Sequence, residues 1–179
     1  MIGHIIRTML PLLAILSILQ MVSGTVLETF EEQLLTTPSL LILVPVTIGT
    51  AGNLGSIMCS RLSTELHLGT LEFTPDNPAI RSNVGAVMGL AATVFVVLGL
   101  SAWAIGQLLG GTLALWKVMF ISVTSGMLLA VFVVVVSIAA VYSSFRLGYD
   151  PDDTTIPVVT NVSDITGVLI LFSVVSLVL

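Results

Sequence analysis

The distribution of charge decides what this chain can become. Residues 8–27, 33–60, 82–116 and 118–145 contain no Asp, Glu, Lys or Arg, and neither do residues 165–179. Each of the first four stretches holds the ~20 consecutive apolar residues that cross the hydrocarbon of a bilayer. The fifth reaches that length only if its helix starts near Pro157 and takes Asp164 inside it. Open strands would leave backbone groups unpaired in lipid, so every span is read as a helix. The expected spans are 6–27, 38–60, 83–107, 117–142 and 157–179. The fold class is an all-α integral membrane protein of five transmembrane helices, with residues 1–179 forming one membrane domain.

Composition excludes the main alternatives. Charged residues are 8% of the chain, against roughly 25% in soluble domains. Five Lys and Arg residues cannot neutralise a nucleic-acid backbone, so no nucleic-acid partner is expected. The one cysteine, Cys59, excludes an internal disulfide and a Cys-rich metal site. Arg7, the apolar run and Ser23-Gly24 share features with a signal peptide, but the run is long for one and four more spans follow. The pattern shows no nucleophile–base pair, phosphate loop or HExxH, and no enzymatic activity is expected.

Five crossings put the termini on opposite sides. Arg7, Arg61, Arg81 and Arg146 fall on the N-terminal side and only Lys117 on the other. The positive-inside rule then makes the N-terminus cytoplasmic and the C-terminus external. Trp103 and Trp116 would lie near the outer boundary, Tyr142 and Tyr149 near the inner one. Residues 61–82, with Pro75 and Pro78, read as an irregular inner connection.

An ionisable residue within a span is the strongest functional pointer in a membrane protein. Asp164 is the clear case. Seven residues past Pro157, it would lie about 10 Å along its helix at 1.5 Å per residue. Thr160, Asn161 and Gly167 fall at helical spacing from it and form a small, polar stripe. In the second span Gly49, Gly52, Asn53, Ser56 and Ser60 share one face. Asn53 lies eight residues from Arg61, about 12 Å from the inner charge and close to the level of Asp164. Carboxylate, amide, hydroxyl and carbonyl oxygens are hard ligands suited to Mg²⁺ or Ca²⁺. One carboxylate is thin for a divalent ion, whereas a twofold dimer would place two on its axis.

Asp150, Asp152 and Asp153 precede the fifth span and could either concentrate cations at an inner mouth or cap the helix, with Thr154 and Thr155 as further caps. Gly85-x-x-x-Gly89 and Gly106-x-x-x-Gly110 read as helix-packing positions. His4 and His67 are single and distant, so no His metal site is expected.

At these residues the chain resembles a known family. Asp150-Pro151-Asp152, Thr155 to Thr160 and Asp164-Ile165-Thr166-Gly167, with Pro45 and Gly52-Asn53-Leu54-Gly55, are similar to the motifs of the MgtE magnesium channel and transporter family. Ser60 to Thr64 and Asp150-Pro151-Asp152 resemble its eukaryotic solute-carrier relatives more closely. The resemblance implies a five-helix domain dimerised around a cation path. It implies that Asp164 stands for the family's pore aspartate and Asn53 for its second-helix asparagine, with a contribution from the Thr160 carbonyl. Ile156 and Ile57 stand where bacterial members often carry Asn and Gln.

The expected function is therefore a homodimeric divalent cation channel or transporter, multi-pass in a prokaryotic plasma membrane. The metal ligands would be Asp164, Asn53, Thr160 and Asn161, with Asp150, Asp152 and Asp153 as inner-mouth acids. Mg²⁺ is the ion favoured by the resemblance, while oxygen ligands would also admit Mn²⁺, Ca²⁺ or Co²⁺. No CBS or other soluble regulatory domain is expected within residues 1–179, which leaves a separate cytoplasmic regulatory subunit open as a partner. The alternatives are a proton- or Na⁺-coupled exchanger, and a non-transporting subunit whose partner supplies Lys or Arg to Asp164.

Overall fold

A computed structural model describes residues 2–74 and 76–179, apart from the side chains of residues 2–5 and 8. The His4 side chain and Pro75 of the expected inner connection lie outside the described residues. The elements are α1 (Ile2–Thr29), the short α2 (Glu31–Thr36), α3 (Pro38–His67), α4 (Pro78–Leu108), α5 (Leu115–Leu147) and α6 (Pro151–Val178). All but α2 include a stretch long and apolar enough to cross a membrane, which is the five-span α-helical class expected.

Successive helices α3 to α6 run up and down, and α3 also packs on α5 and α6. The contacts fix which helix ends lie together. Arg61 on α3 donates to Asn83 on α4, Phe73 meets Tyr142 edge-on at 5.0 Å, and Ser144 hydrogen-bonds Thr154 at 3.0 Å. At the opposite end Lys117 donates to the Val178 carbonyl at 3.1 Å, a cation at the negative end of α6. Phe30 stacks on Phe172, centroids 4.0 Å apart, so α1 runs parallel to α6. Arg61, Arg81 and Arg146 thus share one end of the bundle and Lys117 the other.

The helices outrun their charge-free stretches. α3 continues past Arg61 to His67 and ends with Gly69 at φ +70°, so the irregular connection is confined to residues 68–77. A charge ends a hydrocarbon span but not a helix: Leu62 and Ser63 remain fully buried beyond it. α4 starts at Pro78, capped by the Asn77 carbonyl oxygen, which accepts from Ala79 N at 2.9 Å. α6 starts at Pro151 rather than near Pro157. Its cap is Asp150, which accepts from Asp152 N at 3.0 Å, and Pro157 lies inside the helix. Thr154 and Thr155, expected as caps, instead donate back to Asp150 and Pro151 carbonyls within the first turns.

The core falls into two apolar clusters. One gathers Met58, Leu62, Val87, Phe95, Leu129, Val133 and Val159 towards the arginine-bearing end. The other gathers Leu40, Leu43, Val118, Ile121, Leu171 and Phe172 towards the opposite end. Between them lies a level of small and polar residues: Thr47, Gly99, Ser122, Ser125, Gly126 and Ser163 are in it, with Asp164 at the same height on α6. Small residues let helices approach closely where no hydrophobic effect drives them together in lipid. Gly126 faces the Phe95 ring, Gly99 faces Ser122, and Gly106 faces Ser39. Gly85 and Gly89, expected to pack, have open space around them, and Gly110 is a turn at φ +84°. Their spacing is right, but among the described residues nothing stands within 4 Å of where a Cβ would be at Gly85 or Gly89.

Candidate functional site

Asp164 is thirteen residues from Pro151 and fourteen from Val178, at the midpoint of α6. The earlier start of the helix therefore moves it from about 10 Å to about 20 Å along the axis at 1.5 Å per residue. Asn53 is fifteen residues from Pro38 and fourteen from His67, at the midpoint of α3. The shared level expected of them is kept but lies at the middle of the bundle.

The surroundings of Asp164 come from two helices. From α3, Gly52 presents bare backbone: a Cβ there would stand 3.8 Å from Asp164 Oδ1 and 3.2 Å from the Thr160 methyl. One turn further, Ser56 Oγ is 3.5 Å from Thr160 Oγ1 and donates to the Gly52 carbonyl at 3.0 Å. Gly55 lies against Val159, whose methyl is 2.6 Å from where a Cβ would be. From α1, Gln20 Nε2 donates to Asp164 Oδ2 at 2.5 Å. Asp164 is half-buried. Its two oxygens face different helices, one an amide donor and the other a gap left by glycine.

The polar face expected on α3 divides in two. Gly52, Gly55 and Ser56 meet α6, whereas Gly49, Asn53 and Ser60 are exposed, with Pro45 and Ile57 on the same open stripe. The Thr160 side chain is brought to Ser56, and its carbonyl lies within the unbroken helix α6. Asn161 spends its amide N–H on the Pro157 carbonyl, at 2.9 Å, one turn back on its own helix. Asp164 and Thr160 are thus brought together with Gly52; Asn53 shares their level on an open face, and Asn161 is tied to its own backbone.

At the arginine-bearing end, His67 at the end of α3 meets Asp150 and Asp152 at the start of α6. One ligand atom from each lies within 4.8 Å of the others, and all three residues are exposed. His67 Nδ1 is 2.9 Å from the Ser63 carbonyl. The reading against a His metal site rested on sequence distance, and the antiparallel pairing of α3 and α6 brings His67 beside two acids across that distance. Asp153 is exposed in the same helical turn but is not part of this group.

Members of these groups carry sequence signals that charge counting passed over. Gln20 is the one amide between Arg7 and Glu28. Glycine at 52 and 55 with serine at 56 marks a close helix approach, but which helix approaches is a property of the bundle.

Fold and site together define a polytopic α-helical membrane protein built around one intramembrane carboxylate. Residues 44–174 match the family model described as MgtE, divalent cation transporter. The chain belongs to the MgtE family. Over 168 residues it is 30% identical to "Magnesium transporter MgtE" of Thermus thermophilus, covering 93% of this chain and 35% of that protein. Over 140 residues it is 32% identical to "Solute carrier family 41 member 3" of Rattus norvegicus, covering 74% of this chain and 29% of that protein. The chain thus spans about a third of the length of the curated relatives it matches.

Proposed function

We propose that this chain carries a divalent cation, Mg²⁺, across the plasma membrane of a prokaryote as a homodimer, along a path lined by α3 and α6. The arginine-bearing end would be cytoplasmic. The observation that carries the reading is Asp164 itself. Every Lys and Arg of the chain stands at 7, 61, 81, 117 or 146, so none lies at the level of this carboxylate. A carboxylate at that depth requires a counter-charge or a proton. A passing cation supplies the charge, and the family and the relatives' names favour Mg²⁺.

Two further features support the dimer and the path. The open stripe on α3 holds the Asn53 amide at the middle of the helix with no hydrogen-bond partner among the described residues, a costly arrangement in lipid. A second copy across a twofold axis would cover this stripe and bring a second Asp164 towards the same axis, so that two carboxylates balance one divalent ion. Mg²⁺ sheds water reluctantly and would be held by hydrated contacts to Asp164, Asn53 and the backbone around Gly52 and Thr160. Such contacts are weak enough to release it. At the cytoplasmic mouth, Asp150 and Asp152, with Asp153 beside them, would raise the local cation concentration.

Flux through purified protein tests this reading. Liposomes holding a Mg²⁺ indicator, at clamped voltage and without a proton or Na⁺ gradient, should fill through the wild type and stay empty with Asp164→Asn. Filling only when a proton or Na⁺ gradient is imposed would instead make the protein a coupled exchanger. A folded wild type that transports under neither condition would overturn the proposal.

A further inference from the structure

The side of Asp164 that faces α1 carries a contact which neither the family motifs nor the ion path accounts for. Across residues 9–29, α1 buries only Leu16 and Ser23, with Met9, Leu12, Val26 and Leu27 partly covered. These positions form one stripe at helical spacing. Gln20 sits in its middle, four residues after Leu16 and three before Ser23. Beyond α2, the stripe packs on α6 and no other helix. Gln20 is also near the centre of the membrane-length stretch Met9–Thr29. Gln20 is exposed on the surface of α1, and an amide in the hydrocarbon of a bilayer seeks a protein partner. Thr25 and Thr29 on the same helix satisfy their hydroxyls on carbonyls of their own backbone. Gln20 instead reaches across to Asp164 Oδ2.

That choice of oxygen matters. A free carboxylate side chain turns about two bonds and presents either oxygen in any direction. With Oδ2 held by the amide, the other oxygen is directed over the Gly52 backbone of α3. The amide N–H is a donor, so it fixes the orientation of the carboxylate. Among the described residues no donor reaches Oδ1.

We propose that Gln20 is a positioning residue for the ion-binding carboxylate. It orders Asp164 before the cation arrives and thereby sets the affinity, but not the existence, of the ion path. The inference rests on the reading of Asp164 as the ion's carboxylate. Pre-ordering one side chain is worth about a three- to ten-fold change in affinity, the scale of immobilising a rotamer-rich group.

The test uses Gln20→Met, which keeps the length, removes the donor and is apolar, so that lipid tolerates it. Gln20→Ala serves as a second variant should the thioether repack. Two readouts are taken in parallel on the full chain. One is Mg²⁺ uptake into liposomes across a range of Mg²⁺ concentrations. The other is the Mg²⁺ concentration that half-maximally raises the unfolding temperature of the protein in nanodiscs, which needs no flux. The expected result is a three- to ten-fold rise in both half-saturating concentrations, with the maximal uptake rate within about two-fold of wild type. In an Asp164→Asn background, the Gln20→Met change should leave what remains of the thermal response unaltered, because the carboxylate it orders is gone.

Unchanged half-saturation with a lowered unfolding temperature would make Gln20 a packing contact between α1 and α6, and would overturn the proposal. A fall in the half-saturating concentration would mean that the amide competes with the ion, and would overturn it too. Wild-type protein that neither takes up Mg²⁺ nor is stabilised by it would remove the underlying reading of Asp164. Stabilisation without uptake would retain the ion site, and the thermal readout alone would then decide the role of Gln20.

Discussion

Gly52 and Asp164 face each other across the α3–α6 contact at the middle of both helices, and the missing Cβ of Gly52 leaves Oδ1 of Asp164 a gap to face. A Cβ there would stand 3.8 Å from that oxygen and 3.2 Å from the Thr160 methyl. Alanine fits only if Thr160 gives by a few tenths of an ångström, whereas a branched side chain does not fit. Gly52→Ala is expected to slow Mg²⁺ uptake several-fold with the fold retained, and Gly52→Val to abolish uptake. Unfolding temperature and elution volume, measured beside uptake, separate a filled gap from a displaced helix. Overpacking of this kind costs about 1–3 kcal/mol.

Gly55 makes a different demand. A Cβ would meet a Val159 methyl at 2.6 Å and a Val133 methyl at 3.1 Å, and both valines are stiff at χ1. Gly55→Ala should therefore destabilise the bundle by about 1–3 kcal/mol. Val159→Ala in the same chain should recover most of the loss by making room for the new methyl. Thermal unfolding of the two single variants and the double variant gives the coupling, and simple additivity would place Gly55 elsewhere than against Val159.

Asn53 is exposed in the single chain, and its side chain makes no hydrogen bond among the described residues. Its replacement by Ala should shift the stability of the isolated fold by no more than about 0.5 kcal/mol, the scale of surface changes. If a second copy covers it, the same substitution should lower uptake several-fold or weaken the dimer. Uptake and cross-linking at Gly49→Cys, one helical turn away on the same open stripe, read the two effects separately.

The cluster of His67, Asp150 and Asp152 lies at the ends of the two helices proposed to line the path. Asp152→Asn should reduce uptake a few-fold at low Mg²⁺ and low ionic strength. The defect should shrink as salt rises, since the Debye length falls from about 30 Å at 0.01 M to about 10 Å at 0.1 M. Asp150 also caps α6 through a side-chain oxygen that Asn supplies about as well, so Asp150→Asn should show the same salt-dependent defect with the cap retained. A salt-independent defect in Asp152→Asn would argue for a structural role instead.

Much of this architecture was legible before any folding was considered. The charge gaps give five helices because lipid admits almost no other spanning structure, and one acid among apolar residues marks Asp164. The glycine-rich stretch of α3 and the motif around Asp164 led to the family that residues 44–174 match. These are local properties, carried by a residue and its neighbours within a turn or two.

Tertiary structure decided the rest. Hydrophobicity marks where lipid ends but not where hydrogen bonding along a helix ends, so α3 and α6 run past their charges and Asp164 moves to the midpoint. Spacing shows that glycines share a face but not what that face meets; Gly52 and Gly55 found α6, while Gly85 and Gly89 face open space among the described residues. Gln20 and Asp164 are 144 residues apart. Only the parallel packing of α1 on α6 brings them together, as only the antiparallel pairing of α3 with α6 brings His67 to Asp150 and Asp152. A sequence can specify which side chains seek a partner at a given depth. Which helix supplies that partner depends on how all the faces pack at once.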